Sequence, residues 1–146
     1  MSDEGGLSLT VLGCDGSYPG AGGACSGYLI SDGETSVWLD AGSGTLANLQ
    51  RHVAIEDLDA VVISHVHPDH WTDLEHLVTA CRWVVGRRGV PVYAPVGLEP
   101  MIRPGNHDGT LAFHTITEGS MVNIGDMRWT FSQTDHPVAT MAARVD

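Results

Sequence analysis

The segment Ser64-His65-Val66-His67-Pro68-Asp69-His70 gathers three imidazoles and one carboxylate into six consecutive positions, 65 to 70. Imidazole and carboxylate are the donors that suit zinc and similar divalent ions, at bond lengths of about 2.0–2.2 Å. Near neutral pH an imidazole competes only weakly for protons, so it is available as a neutral ligand. Side chains on extended backbone alternate with a period of two, which sends His65, His67 and Asp69 to one side. Pro68 keeps His67 extended, because a residue before proline is pushed out of the helical region. His70 then opens the following turn. Chance clustering of surface histidines is the competing account. A strand before the segment and a helix after it favour the metal.

The elements that must hold this cluster can be read on either side. Asp59 to Ser64 is an almost unbroken apolar run, expected as a strand buried on both faces. From Trp71 to Arg87, the residues Trp71, Leu74, Leu77, Val78, Cys81, Val84 and Val85 recur at three- and four-residue intervals and predict a long helix. Upstream, Leu7 to Gly13 alternates as a strand, and Cys14 to Gly27 is a glycine-rich loop. Tyr28–Ile30 and Thr35–Asp40 form a hairpin across a Ser-Asp-Gly-Glu turn. Ser43 to Val53 reads as a helix with Leu46, Leu49 and Val53 on one face. Downstream come a short strand at Pro91–Ala94 and a proline-rich loop with one helical turn at 95–109. A hairpin of Ser120–Ile124 and Met127–Gln133 follows, and a strand begins near Ala142. Helices and sheets in this order stack in layers, as an α/β or α+β domain.

At 146 residues the chain has the size of one domain. Its formal charge of −11 disfavours non-specific binding to nucleic acid. A small anionic substrate stays open, because a bound metal inverts the local field. All the basic residues are arginine, which removes lysine Schiff-base and P-loop chemistry. Three cysteines without a CxxC spacing argue against a disulfide framework or a thiolate zinc site and fit a reducing cytoplasm. The acidic start, MSDEGG, does not read as a secretory signal, and no apolar run is long enough for a membrane span.

Two other residues gain meaning beside the cluster. Asp40 closes the strand Val37-Trp38-Leu39-Asp40; alone it reads as a turn or cap carboxylate. His136 follows the strand Trp129–Thr134; alone it reads equally as a loop histidine before Pro137. The remaining histidines are expected to be modest: His76 solvent-facing, His52 near a helix end, His107 and His114 in irregular sequence. The four tryptophans are expected to pack in the core or at its rim, with Trp71 placed to wall the site.

The HxHxDH spacing, with Asp40-Ala41-Gly42 ahead of it and His136 behind, resembles the metallo-β-lactamase superfamily over nearly the whole chain. Val11-Leu12-Gly13-Cys14-Asp15-Gly16-Ser17 and Ser26-Gly27-Tyr28-Leu29 are similar to the branch holding ribonuclease Z, cyclic-nucleotide phosphodiesterases and phosphonate-pathway phosphodiesterases. The resemblance implies an α+β fold, the αββα sandwich, of which this chain matches only the first half. Residues 1–146 are thus expected to be one domain cut short at its C-terminal side. A missing C-terminal half or a homo-oligomeric partner would then cover exposed apolar surface.

By the same resemblance, His65, His67 and His136 bind a first metal, and Asp69 and His70 a second. Asp40 orients a ligand imidazole. Zn2+ is expected, one ion or two, ahead of Mn2+ or Fe2+. Asp69 is the catalytic carboxylate, and Gly13, Gly16 and Ser17 border the substrate. No arginine lies in that loop, a departure from many ribonuclease Z sequences. The implied activity is hydrolysis of a phosphodiester by a metal-bound hydroxide. Hydrolysis of a lactone, ester or β-lactam at the same site, or a metal-binding half-domain inactive alone, are the alternatives. Iron redox chemistry ranks last, since its relatives tend to carry Glu where this chain has His67.

Overall fold

The computed structural model describes residues 6–102 and 109–146. Strands β1 (Ser8–Gly13), β2 (Gly27–Ser31), β3 (Ser36–Ala41), β4 (Ala60–Val62), β5 (Val90–Ala94) and β6 (Leu111–Thr115) form one sheet in that order. The first three strands pair antiparallel and β3 to β6 pair parallel. Strands β7 (Met121–Ile124), β8 (Met127–Gln133) and β9 (Met141–Val145) form a second, antiparallel sheet. Two short helices, α1 (Thr45–Leu49) and α2 (Leu74–Ala80), follow β3 and β4 in the connections of the first sheet.

Strand alternation divides the large sheet into two apolar faces. Trp38, Val61, Ile63, Val90 and Val92 point toward Leu46 and Leu49 of α1 and Leu74, Leu77 and Val78 of α2. Ile30, Val37, Ala60 and Val62 point the other way, onto Ile124, Trp129, Phe131 and Met141 of the second sheet. The layers are therefore helix, sheet, sheet, and no helix among the described residues packs outside the second sheet. These are three layers of an αββα sandwich. Strand β1 overhangs the shorter sheet, leaving Leu9 60% and Val11 54% exposed.

Most expected strands and both hairpins occur. Four expectations are corrected. The helix expected at 43–53 is confined to Thr45–Leu49, entered through the left-handed Gly44 (φ 92°) and closed by tight turns from His52 N and Val53 N to the Leu49 carbonyl. The helix expected from 71 to 87 starts at Leu74 and passes at Cys81–Val85 into a π-helical turn. The wider turn rotates later residues off the apolar stripe, by about 100° per inserted residue. Val84 is therefore 83% exposed rather than buried, and Trp83, 74% exposed, is not in the core. His114 lies in β6 rather than in irregular sequence, stacked on Tyr93 at 4.9 Å between ring centres. Part of the 95–109 loop, with His107, lies outside the described residues; Glu99–Met101 supplies its one helical turn.

Candidate metal centre

The cluster forms where the parallel strands end. Strand β4 delivers Ser64 and His65, and the Ser64 carbonyl accepts a bond from Met141 N of β9 at 2.9 Å. Both sheets thus brace the point where His65 leaves. Pro68 starts a single 3-10 turn, Pro68–His70, while His67 stays extended (φ −70°, ψ 138°). That turn carries Asp69 and His70 beside His65. His136 arrives from the β8–β9 loop, about seventy residues later in the chain.

One ligand atom from each of His65, His67 and His136 lies within 4.8 Å of the others. His67 Nδ1 and His136 Nε2 are 3.2 Å apart. Donors on a tetrahedral ion with bonds of about 2.05 Å would sit about 3.3 Å apart, so His67 and His136 already have the spacing of two zinc ligands and His65, within 4.8 Å, is close enough to supply a third. His70 Nε2 and Asp69 Oδ2, 3.3 Å apart, are spaced the same way. The rings of His65 and His70 are 4.0 Å apart between centres, which joins the two groups into one cluster.

Asp40 ties the cluster down from behind. It is buried and is the one non-glycine described residue with positive φ, at 58°. Such a backbone costs about 1–3 kcal/mol and persists only where its surroundings enforce it. Here the surroundings are hydrogen bonds to its carboxylate. Ser64 N donates to Oδ1 at 2.7 Å, Ser64 Oγ donates to Oδ2 at 2.8 Å, and His70 Nδ1 lies 2.7 Å from Oδ2. Ser64 Oγ is also 2.9 Å from His65 Nδ1.

Electrostatics separates the two central histidines. Burial, aided by the neighbouring imidazoles, lowers the His65 pKa to about 4, so its ring is neutral over the ordinary pH range. Burial also pulls His70 down, but its hydrogen bond to Asp40 and the charges of Asp40 and Asp69 outweigh that and raise its pKa. Burial and the charge of Asp69 push the Cys25 thiol up, which keeps it protonated and a poor ligand.

The structure therefore brings His65, His67, Asp69, His70, His136 and Asp40 together. The loop residues are dispersed. Gly13 packs against the backbone of Ala24 and Cys25, whereas Gly16 (φ 83°) faces open space and Ser17 is exposed. Trp71 backs the His67 loop, its Nε1 donating to the Val66 carbonyl at 2.9 Å. His76 is solvent-facing as expected, its ring 3.2 Å from Asp73 Oδ1.

Three supporting residues escape a reading of the sequence. Ser64 is hidden because its role lies in a hydroxyl direction. Gly42 has no room for a Cβ, which would collide with the Asp69 carbonyl and meet Cys25 Cβ at 2.7 Å. Asp73, 3% exposed, accepts from Leu46 N at 2.8 Å and donates its own N–H to the Ala41 carbonyl at 2.9 Å. It therefore caps α1 and holds the end of β3. The DAG that follows Leu39 was the available signal for Gly42.

The metallo-beta-lactamase superfamily model matches residues 20–140. The chain is 34% identical to the probable metallo-hydrolase YhfI of Bacillus subtilis (strain 168), over 95% of this chain and 59% of that protein. It is 30% identical to ribonuclease Z of Methanopyrus kandleri, over 96% of this chain and 50% of that one. The crystal structure of YhfI superposes with a TM-score of 0.87 at 33% identity, covering 97% of this chain and 58% of YhfI. Human tRNase Z, short form, has the same fold at a TM-score of 0.77 and 18% identity, covering 94% of this chain and 63% of that one. The chain belongs to the metallo-β-lactamase superfamily, a superfamily of metallo-hydrolases. It spans between a half and three fifths of the length of these two curated relatives.

Proposed function

We propose that this chain carries the catalytic metal site of a zinc-dependent phosphodiester hydrolase. The observation that carries the reading is the convergence of three imidazoles within 4.8 Å at the end of a parallel strand. His65, His67 and His136 hold the first ion in this reading, and Asp69 with His70 contribute to a second. Bound zinc supplies Lewis acidity and acidifies a water toward neutrality. In this reading Asp69 would take the proton of the attacking water at its carboxylate, which sits beside the cluster on the same turn as His70. Asp40 keeps His70 turned toward that carboxylate. Ribonuclease Z among the relatives supports the phosphodiester over a lactone, ester or β-lactam.

A second reading has its own support. Only Asp69 and His70 serve the second position among the described residues, and the relatives are longer. On that reading residues 1–146 form a metal-binding half of one domain, completed by further chain or by a second copy over Leu9 and Val11. The three cysteines are unpaired, which suits a cytoplasmic setting. No described helix is long and apolar enough to cross a membrane.

The test is turnover of bis(p-nitrophenyl) phosphate, nitrocefin and a simple lactone by the zinc-loaded chain, with zinc content measured alongside. Phosphodiester turnover that falls on chelation supports the proposal. Turnover of the lactone or nitrocefin alone overturns the substrate class. Stoichiometric zinc without any turnover favours the half-domain.

A further inference from the structure

We propose that Ser64 is a positioning residue, relaying the charge of Asp40 to His65 and thereby deciding which nitrogen of that ring faces a metal. The inference rests on the metal reading of the cluster and deepens it. An ionised carboxylate only accepts hydrogen bonds, and a serine hydroxyl has a single proton to give. Ser64 commits that proton to Asp40 Oδ2 at 2.8 Å. Toward His65 Nδ1, 2.9 Å away, the hydroxyl then offers only lone pairs. The ring must carry its proton on Nδ1, which leaves Nε2 unprotonated and free to bind a metal.

The hydroxyl is not a free rotor. Ser64 N donates to the other carboxylate oxygen at 2.7 Å, so Asp40 grips this residue at two points. His70 obeys the same rule without an intermediary. Its Nδ1 donates to Asp40 Oδ2 at 2.7 Å, leaving Nε2 to face Asp69. One buried carboxylate therefore sets two imidazoles, one directly and one through Ser64. His67 lies outside the relay, because its Nδ1 is the nitrogen facing His136. With the hydroxyl removed, His65 Nδ1 has no other hydrogen-bond partner among the described residues. The proton can then move to Nε2 and block the ligand position.

The test uses the whole chain, labelled with 15N-histidine and metal-free, at pH 8. Long-range 1H–15N spectra should show His65 and His70 both protonated on Nδ1. In Ser64→Ala the His65 signal should move toward the Nε2-protonated form. His70, still held by Asp40, should not move, and this distinguishes loss of the relay from loss of the fold. Zinc affinity by chelator competition should fall about 10–100-fold in Ser64→Ala and recover in Ser64→Thr. A wild-type His65 protonated on Nε2 overturns the relay even if Ser64→Ala does not fold. So does a Ser64→Ala spectrum and affinity like the wild type. A wild type with the expected tautomers but no zinc binding overturns the metal reading and leaves the hydrogen-bond relay standing.

Discussion

The His65–His67–His136 trio and the Asp69–His70 pair share one cluster but are assembled differently. The trio spans two sheets: His65 and His67 leave β4, while His136 enters from the β8–β9 loop. The pair is two consecutive residues on one 3-10 turn, held by Asp40. The trio therefore exists only when the sandwich has formed, whereas the pair depends on one turn and one carboxylate. The trio offers three protein donors, enough for an ion that keeps a water. The pair offers two. Two positions of unequal strength follow, and each variant below should move one more than the other.

The largest effect is expected at the trio. His67→Ala or His136→Ala removes one of three imidazoles. Spreading about 10–16 kcal/mol of zinc binding over four ligands assigns each roughly 3 kcal/mol, a loss of about 100-fold in affinity. Competition with a chelating dye, with zinc counted after dialysis, reads this directly. Stoichiometric zinc retained by His67→Ala would remove the trio from the ligand set. Asp40→Ala should come next and strike both positions. It leaves Ser64 N, Ser64 Oγ and His70 Nδ1 without their acceptor, at a cost of about 3 kcal/mol in urea unfolding of the metal-free chain. Both zinc affinities should fall about 10–100-fold. A loss confined to the pair would break the link from Asp40 to His65.

The same contrast explains what the sequence reveals. His65, His67, Asp69 and His70 are legible because a strand end and a proline make sequence spacing into spatial spacing. His136 becomes legible only through the family resemblance, since nothing local in Asp135-His136-Pro137 points across the molecule. Strand β6 escapes because it is a sheet edge: only Leu111 and Phe113 face the core, and His114 and Thr115 are exposed. The π-turn at Cys81–Val85 escapes because its apolar residues keep a helical spacing while the backbone does not. Ser64 and Gly42 escape because their roles lie in a proton's direction and in the lack of room for a methyl group.

Gly42 sharpens the comparison from the pair's side. A Cβ there would collide with the Asp69 carbonyl and lie 2.7 Å from both Cys25 Cβ and the Ser26 carbonyl. Backbone on two sides cannot swing away, so Gly42→Ala should cost about 1–3 kcal/mol of stability. It should also displace Asp69 more than the trio. A second zinc should weaken while the first changes little, read as two steps in a zinc titration; equal weakening of both would mean the turn and the trio move as one body.

The smallest effect is a proton. His65, with its pKa near 4, is already neutral when metal binds near neutral pH and gives up no second proton. His70 has its pKa raised by Asp40 and Asp69 against the pull of burial, so it keeps its proton to higher pH than an ordinary imidazole. Zinc at its Nε2 must displace that proton. Affinity at the pair should therefore rise as pH increases toward the raised pKa and level off above it. His65 adds no such slope to the trio from pH 6 upward. Calorimetry in two buffers of different ionisation enthalpy measures the protons released. Zinc binding to the second position should release a proton from His70 at low pH, in an amount that shrinks as pH rises through the raised pKa. His70→Ala should abolish that release. Release that survives His70→Ala would place the displaced proton elsewhere in the cluster and detach the pair's pH dependence from Asp40.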